Sequence, residues 1–339
     1  MFLQSKTFRI WLVLALAAWL VLFTTFNQLE FLAKHWFYPA IMVLGAFVAG
    51  VTPEGGGVVA FPVLNIFIGV DRVLARDFSL MIQSIGMTSA SIFILSRRGT
   101  DLRAFRPLLW MLPVSFTGFV VGMLTLQRMP VPVIQALFLS LIATFAVAYY
   151  LSQHRGGRDR AAFTGSGDYL VAIPVLLLGG TCASLFGTGA DIILYTLLVT
   201  RFALREKVAT YMSIILMAGI SVAGFAYRHF VDAGLSQYQV RTWLCAYPVV
   251  LFMAPLGAYV LQRLDKEWML RAICVLNIGQ VAYFLLGNPS WEKAFWTGGS
   301  IATLSLVFYV VMRRLAALHR AQRRDQAEEE TPVSTGGGL

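Results

Sequence analysis

Stretches of about twenty apolar residues, long enough to cross a lipid bilayer as a helix, recur along this sequence. Inside lipid every backbone N–H and C=O must find a partner within the protein, so such segments fold as helices packed on one another. Clear spanning candidates are residues 10–26, 78–95, 105–126, 131–151, 208–227, 240–261, 268–286 and 294–312. Of the 339 residues, 58% are hydrophobic and 13% charged, against about 25% charged in a soluble domain. The expectation is an all-α polytopic membrane protein, with the bilayer as its solvent. The net charge of +10 gives no reason to expect a nucleic-acid partner, because the basic residues lie in short links between apolar runs. That is where the positive-inside rule puts them. Cys182, Cys245 and Cys274 fall in apolar segments without metal spacing and read as small packing residues.

The chain opens MFLQSKTFRIWLVLALAAWLVLFTTF. Its basic start suits a signal peptide, but the apolar run is longer than a typical h-region and no small-residue cleavage site follows. A retained first helix is expected. Two other regions, 37–70 and 169–200, are broken midway by glycine, at TPEGGG and at FGTGAD. Each is either one kinked crossing or a re-entrant hairpin. Charge favours the hairpins. With Lys6 and Arg9 in the cytoplasm, only hairpins bring RRGTDLRAFR, HRGGRDR, RFALREK, QRLDK and RRLAALHRAQRR to the same side. The links around Arg128 and between Arg228 and Arg241 are mild exceptions.

This topology has eight full crossings and two hairpins, with both termini cytoplasmic. Each half holds one hairpin and three crossings, and the odd number inverts the second half. Inverted repeats with broken helices meeting near the midplane recur among transporters. The sequence carries matching coincidences. At an offset of 134, Gly45 meets Gly179, Ala49 meets Ala183, Gly55 meets Gly189, Ala75 meets Ala209 and Ser79 meets Ser213. One residue further on, Pro113 meets Pro248, Gly122 meets Gly257 and one Leu-Gln-Arg meets another. The expected organisation is an N-terminal helix and link (1–36), a first repeat (37–151) and a basic cytoplasmic loop (152–168). A second repeat (169–287), a last helix (288–312) and a cytoplasmic tail (313–339) follow.

A glycine break leaves the N–H groups of the following half-helix without intrahelical partners. Their partial positive charge suits an anion, and glycine lets it approach the backbone. Gly55, Gly56 and Gly57 in one break, and Gly187, Thr188, Gly189 and Ala190 in the other, are therefore candidate substrate-binding residues. Close helix packing is the competing explanation for small residues here. Ser79, Gln83 and Ser213 lie on the helices after the breaks and offer hydroxyl and amide groups to an oxyanion, or ordinary interhelical hydrogen bonds. Glu54 and Asp191 are the acids placed deepest. Ionisable residues within a membrane are functional candidates, so both are candidate proton carriers, with helix capping as the alternative. Arg76, beside Asp77, reads as a gate charge or a boundary pair.

These segments resemble a known family. GAFVAGVTPEGGGVVAFPVLNIFIGVDRVLARDFSL is similar to the first repeat of the TauE/SafE sulfite and sulfonate exporters, through Gly55, Gly56, Gly57, Pro62, Leu64, Ala75 and Ser79. GGTCASLFGTGADIILYTLLVTRFALREKVATYMS is similar to the second, through Gly187, Gly189, Ala209 and Ser213. The resemblance covers about residues 37–312. Pro53 and Glu54, Ala190 and Asp191, and Thr196 depart from the family pattern where the site is expected. The resemblance implies a secondary transporter for a small sulfur-containing anion in the cytoplasmic membrane, often outward, with no cofactor. A homo-oligomer is left open. A passive anion channel and an uptake carrier for another oxyanion or carboxylate are the alternatives. An intramembrane enzyme is disfavoured, because His35, His154, His229 and His319 all lie in links or the tail and no apolar segment sets a nucleophile beside a base.

Overall fold

The computed structural model describes residues 5–151, 157–163, 165–232, 234–261, 263, 266–287 and 289–329. The expected basic links at 152–156, 262 and 264–265, and the end of the tail, lie outside the described residues. Within them the chain is helical, with one isolated bridge between Arg158 and Leu204.

Helix α1 (Lys6–Phe26) starts at Ser5, whose hydroxyl accepts the Phe8 amide at 3.3 Å. Val13, Leu14 and Val21 are more than 60% exposed on it, a lipid-facing surface rather than a soluble one. A short α2 (Leu29–Lys34) leads to α3 (Phe37–Val51), whose 15 residues fall short of a crossing. After the break come α4 (Gly57–Pro62) and a π-helical turn, Val63–Phe67. Asp71 caps α5 (Arg72–Leu95) by accepting from the amides of Val73 and Leu74. α5 is buried round most of its circumference, as a helix at the centre of a bundle is. α6 (Leu108–Thr125) and α7 (Val131–Leu151) complete the first half. The second half runs α8 (Ser166–Phe186), α9 (Ala190–Phe202), α10 (Glu206–Phe230), α11 (Gln237–Val260) and α12 (Lys266–Gly287). α13 (Trp291–Glu329) follows without a break at residue 313, where a separate tail was expected.

Seven helical stretches among the described residues are long and apolar enough to cross a membrane: α1, α5, Leu102–Thr125, Val131–Ala148, α8, α10 and α11. The chain is an integral membrane protein. Two of the eight expected crossings, 268–286 and 294–312, are not among these seven, which include α8 instead. α8 starts three residues before residue 169 and reaches 21 residues, enough to cross by itself. Charge pattern, not length, is what argues for a hairpin there.

Two interfaces dominate the packing: α3 against α11, and α8 against α6. Both are built on small residues, which let helix backbones touch. A Cβ on Gly257 would strike the Phe47 carbonyl, and one on Gly118 would meet Leu177 at 2.7 Å. The two breaks also pack alike. Gly45 lies against Gly56, and Gly179 against Ala190, in each case with an added Cβ 3.3–3.4 Å from backbone. α5 and α10 pair closely, and both breaks come against α5 at Ser79.

Candidate substrate site

Residues 48–62 and 183–195 are all buried, so both breaks lie in the interior. The first turns at Gly55 (φ +72°), and the second at Gly187 (φ +74°) and Gly189 (φ +108°). These left-handed conformations strain any residue with a Cβ, which explains three of the glycines. Gly57 is explained by contact instead: a Cβ there would stand 2.5 Å from both Ser79 Oγ and Thr188 Cβ.

The two breaks meet. Thr188 Oγ1 donates to the Glu54 carbonyl at 3.3 Å. Across the contact lies α5. Gln83 Nε2 donates to the Gly187 carbonyl at 2.7 Å, and Ser79 Oγ approaches the same oxygen at 3.4 Å. Gly55, Gly57, Gly187, Thr188, Ser79 and Gln83, expected together from sequence, are thus in mutual contact. The space beside Gly55 is ringed by oxygens: a Cβ there would collide with Asp191 Oδ2, Thr188 Oγ1 and Gln83 Oε1. Among the described residues no backbone acceptor takes the amides of Gly55, Gly56, Gly57, Thr188 or Ala190. Amides in this state suit an anion.

The acids are held differently. Asp191 Oδ1 accepts the amides of Gly189 and Ile192 at 3.1 Å each, so it does cap the break, while Oδ2 has no partner among the described residues. Glu54 does not cap α4. Both its carboxylate oxygens accept from Asn277 Nδ2 on α12 at 3.1 Å, and the same amide reaches the Ile142 carbonyl on α7 at 3.2 Å. Gln280 Nε2, one turn on, donates to the Val58 carbonyl at 3.3 Å. Asn277 and Gln280 were missed. Their signal was present as two amides at helical spacing in an otherwise apolar run, NIGQ. Ser213 is buried, but its hydroxyl bonds back to the Thr210 carbonyl at 2.9 Å, and no hydrogen bond ties it to either break.

Arg76 and Asp77 are both fully buried. Asp77 accepts from Arg76 Nη2 at 2.7 Å, from Arg228 Nη2 at 2.8 Å and from Gln239 Nε2 at 2.8 Å. Arg76 also donates to Gln127 Oε1, and Gln127 Nε2 donates to the Ser184 carbonyl at 3.2 Å. This network joins the ends of α5, α6, α10 and α11 directly beside Gly187, whose missing Cβ would strike the Arg76 carbonyl.

A family model described as Sulfite exporter TauE/SafE matches residues 37–285. The chain belongs to the TauE/SafE family. The match starts with α3, ends in α12 short of residue 312, and includes both breaks, the α5–α10 pair and the Asp77 network. No similar curated protein and no similar solved structure was found. TauE/SafE is a family of membrane transporters, which agrees with a non-enzymatic role.

Proposed function

We propose that this TauE/SafE protein is a secondary transporter that moves a small sulfur-containing anion, sulfite or an organosulfonate such as sulfoacetate, out across the cytoplasmic (inner) membrane. The observation that carries the reading is the meeting of two buried glycine breaks whose amides have no backbone acceptor, beside the polar groups of Ser79 and Gln83. Gly55, Gly56 and Gly57 on one side, and Gly187, Thr188, Gly189 and Ala190 on the other, form the anion's cradle. The matched contacts of Gly45 with Gly56 and Gly179 with Ala190 support two inverted repeats, each a hairpin plus three crossings, with both termini cytoplasmic. The partners are the anion and the lipid bilayer.

Coupling to protons suits the same site. Asp191 Oδ2 and Gln83 Oε1 are buried acceptors facing one point beside Gly55, and neither has a donor among the described residues. Buried polar atoms left without partners are costly. A proton on Asp191 supplies the missing donor and removes a charge that would repel the anion. Glu54, held by a neutral amide alone, is the second candidate.

Reconstituted vesicles test the proposal. Sulfite or sulfoacetate loaded inside and driven by an imposed pH gradient is expected to move against its own gradient. Flux that only dissipates gradients marks a channel, and no flux of any sulfur anion overturns the assignment.

A further inference from the structure

At the far end of α10 from the Asp77 network, a second feature stands apart from the breaks. Three connections close around a cavity of about 820 Å³. It is lined by Arg97 and Arg98 after α5, Arg158 and Arg160 before α8, and Lys207 at the start of α10. The connections are tied to each other. Arg160 Nε donates to Asp101 Oδ2 at 2.6 Å, the Arg158 amide donates to the Ala203 carbonyl at 3.1 Å, and the Arg205 amide donates to the Arg158 carbonyl at 2.8 Å. Both carboxylates in the lining are engaged, Asp101 by Arg160 and Asp159 by Arg205. Arg97, Arg98 and Arg158 have no carboxylate partner among the described residues. The cavity is therefore strongly positive.

The positive-inside rule accounts for cations on this side of the membrane. It gives no reason for three separate connections to be fastened around one concave space. The wall also includes Val208 and Tyr211 on the first turns of α10, the helix that pairs with α5. The volume is that of a pocket for a drug-sized ligand, much larger than a small oxyanion needs, so it is not a fitted site. A cleft whose lining is net positive instead focuses the field and raises the local counter-ion concentration, with on-rates higher by about 10–10³ where one sign prevails.

We infer that this basic cleft is an electrostatic antechamber that concentrates small oxyanions of the sulfonate or sulfite type at the cytoplasmic mouth of the transport path. The inference rests on the anion-transporter reading above.

Charge-selective thiol labelling tests it without requiring transport. With Cys182, Cys245 and Cys274 replaced, a single cysteine enters the cleft as Gly99→Cys, where nothing lies within 4 Å. Thr100→Cys is the second position, because Gly99 has φ +84°. In neutral phosphatidylcholine vesicles at low salt, the anionic sulfonatoethyl methanethiosulfonate is expected to react on the order of tenfold faster, relative to its trimethylammonium analogue, than the same pair does with a free thiol. That preference should collapse in high salt and in Arg97→Gln/Arg98→Gln/Arg158→Gln. A free-thiol ratio at both positions in low salt overturns the inference. Adding anionic phosphatidylglycerol distinguishes the ligand's source: retained preference supports a cleft open to soluble anions, whereas its loss assigns the cleft to lipid headgroups and also overturns the inference. A selective cleft in a protein that carries no sulfur anion defeats the transport proposal alone, and an unselective cleft in a working exporter defeats the antechamber alone.

Discussion

Asn277 Nδ2 donates to both carboxylate oxygens of Glu54 at 3.1 Å. One amide from α12 is the only side chain that bonds the Glu54 carboxylate among the described residues, and it also bonds α7 through the Ile142 carbonyl. Glu54 is therefore held where three elements meet, by a partner that brings no charge.

Substitutions at this pair separate structure from transport. Asn277→Ala removes the donor and leaves the acid unpaired, an expected loss of about 1–3 kcal/mol, read as a lower midpoint of thermal unfolding in detergent. Asn277→Asp puts a second carboxyl against the first and should cost more at neutral pH, with partial recovery in acid. Glu54→Gln keeps the shape but cannot titrate. It is expected to lose pH-gradient-driven transport and keep substrate exchange. Full gradient-driven transport by Glu54→Gln would remove Glu54 as a proton carrier and leave Asp191 as the remaining acid.

The contact between the breaks makes a graded prediction at Gly57. A methyl group there stands 2.5 Å from Ser79 Oγ and Thr188 Cβ, so Gly57→Ala must move the breaks apart. Overpacking of this kind costs about 1–3 kcal/mol, and anion binding should weaken by tenfold or more. Gly57→Leu should abolish it. Gly298→Ala, on α13 with nothing within 4 Å, is the control, with unchanged binding. Equal affinity in all three variants, measured by substrate-dependent thermal stabilisation, would take the site away from the breaks.

The breaks were legible in the sequence because each sets several glycines beside a carboxylic acid within a few residues of an apolar run, which helix packing alone does not call for. Gly55, Gly187 and Gly189 turn the chain there with positive φ angles. The partner of Glu54 was not legible. Asn277 lies 223 residues away, and one amide in an apolar helix does not say which neighbour it faces. The Asp77 network was hidden in the same way, since Arg228 and Gln239 are 151 and 162 residues distant. Arg228 had read as a mild exception to the positive-inside rule. The structure explains it, because its guanidinium is bonded to Asp77 and Asp232. Ser213 shows the opposite limit: matching Ser79 in sequence did not give it the same contacts, because its hydroxyl is taken by its own helix.

Asp77 accepts from two guanidinium groups in the interior, so removing it differs from removing the cluster. Asp77→Leu leaves the buried Arg76 guanidinium without a carboxylate and Arg228 with Asp232 alone, and is expected to cost about 3–5 kcal/mol, whereas replacing a whole buried charge cluster by apolar groups is often neutral. The triple variant Arg76→Met/Asp77→Leu/Arg228→Met should therefore unfold at a higher temperature than Asp77→Leu. If the network also seals the transport path beside Gly187, that variant will leak anions without a proton gradient. A triple variant less stable than the single one would show that the charges act independently.

The Asp101–Arg160 pair joins two of the connections around the basic cleft. The Arg160 guanidinium holds the Asp101 carboxyl below its ordinary value, with the Arg103 amide helping. A carboxyl depressed on folding contributes its link fully above the unfolded-state range and loses it only as pH falls through the lowered folded value. The link should therefore be insensitive to pH from 5 to 8, a window about one unit or more above the ordinary carboxylate range. Hydrogen exchange of the amides in residues 157–163, corrected for the intrinsic pH dependence of exchange, is expected to give constant protection across that window in the wild type. Asp101→Asn keeps the size but loses the charge, and should lower protection at every pH in the window. Because both groups are largely solvent-exposed, the change should stay local and leave the unfolding midpoint nearly unmoved. Protection that titrates near neutrality would instead implicate a different group in holding these connections together.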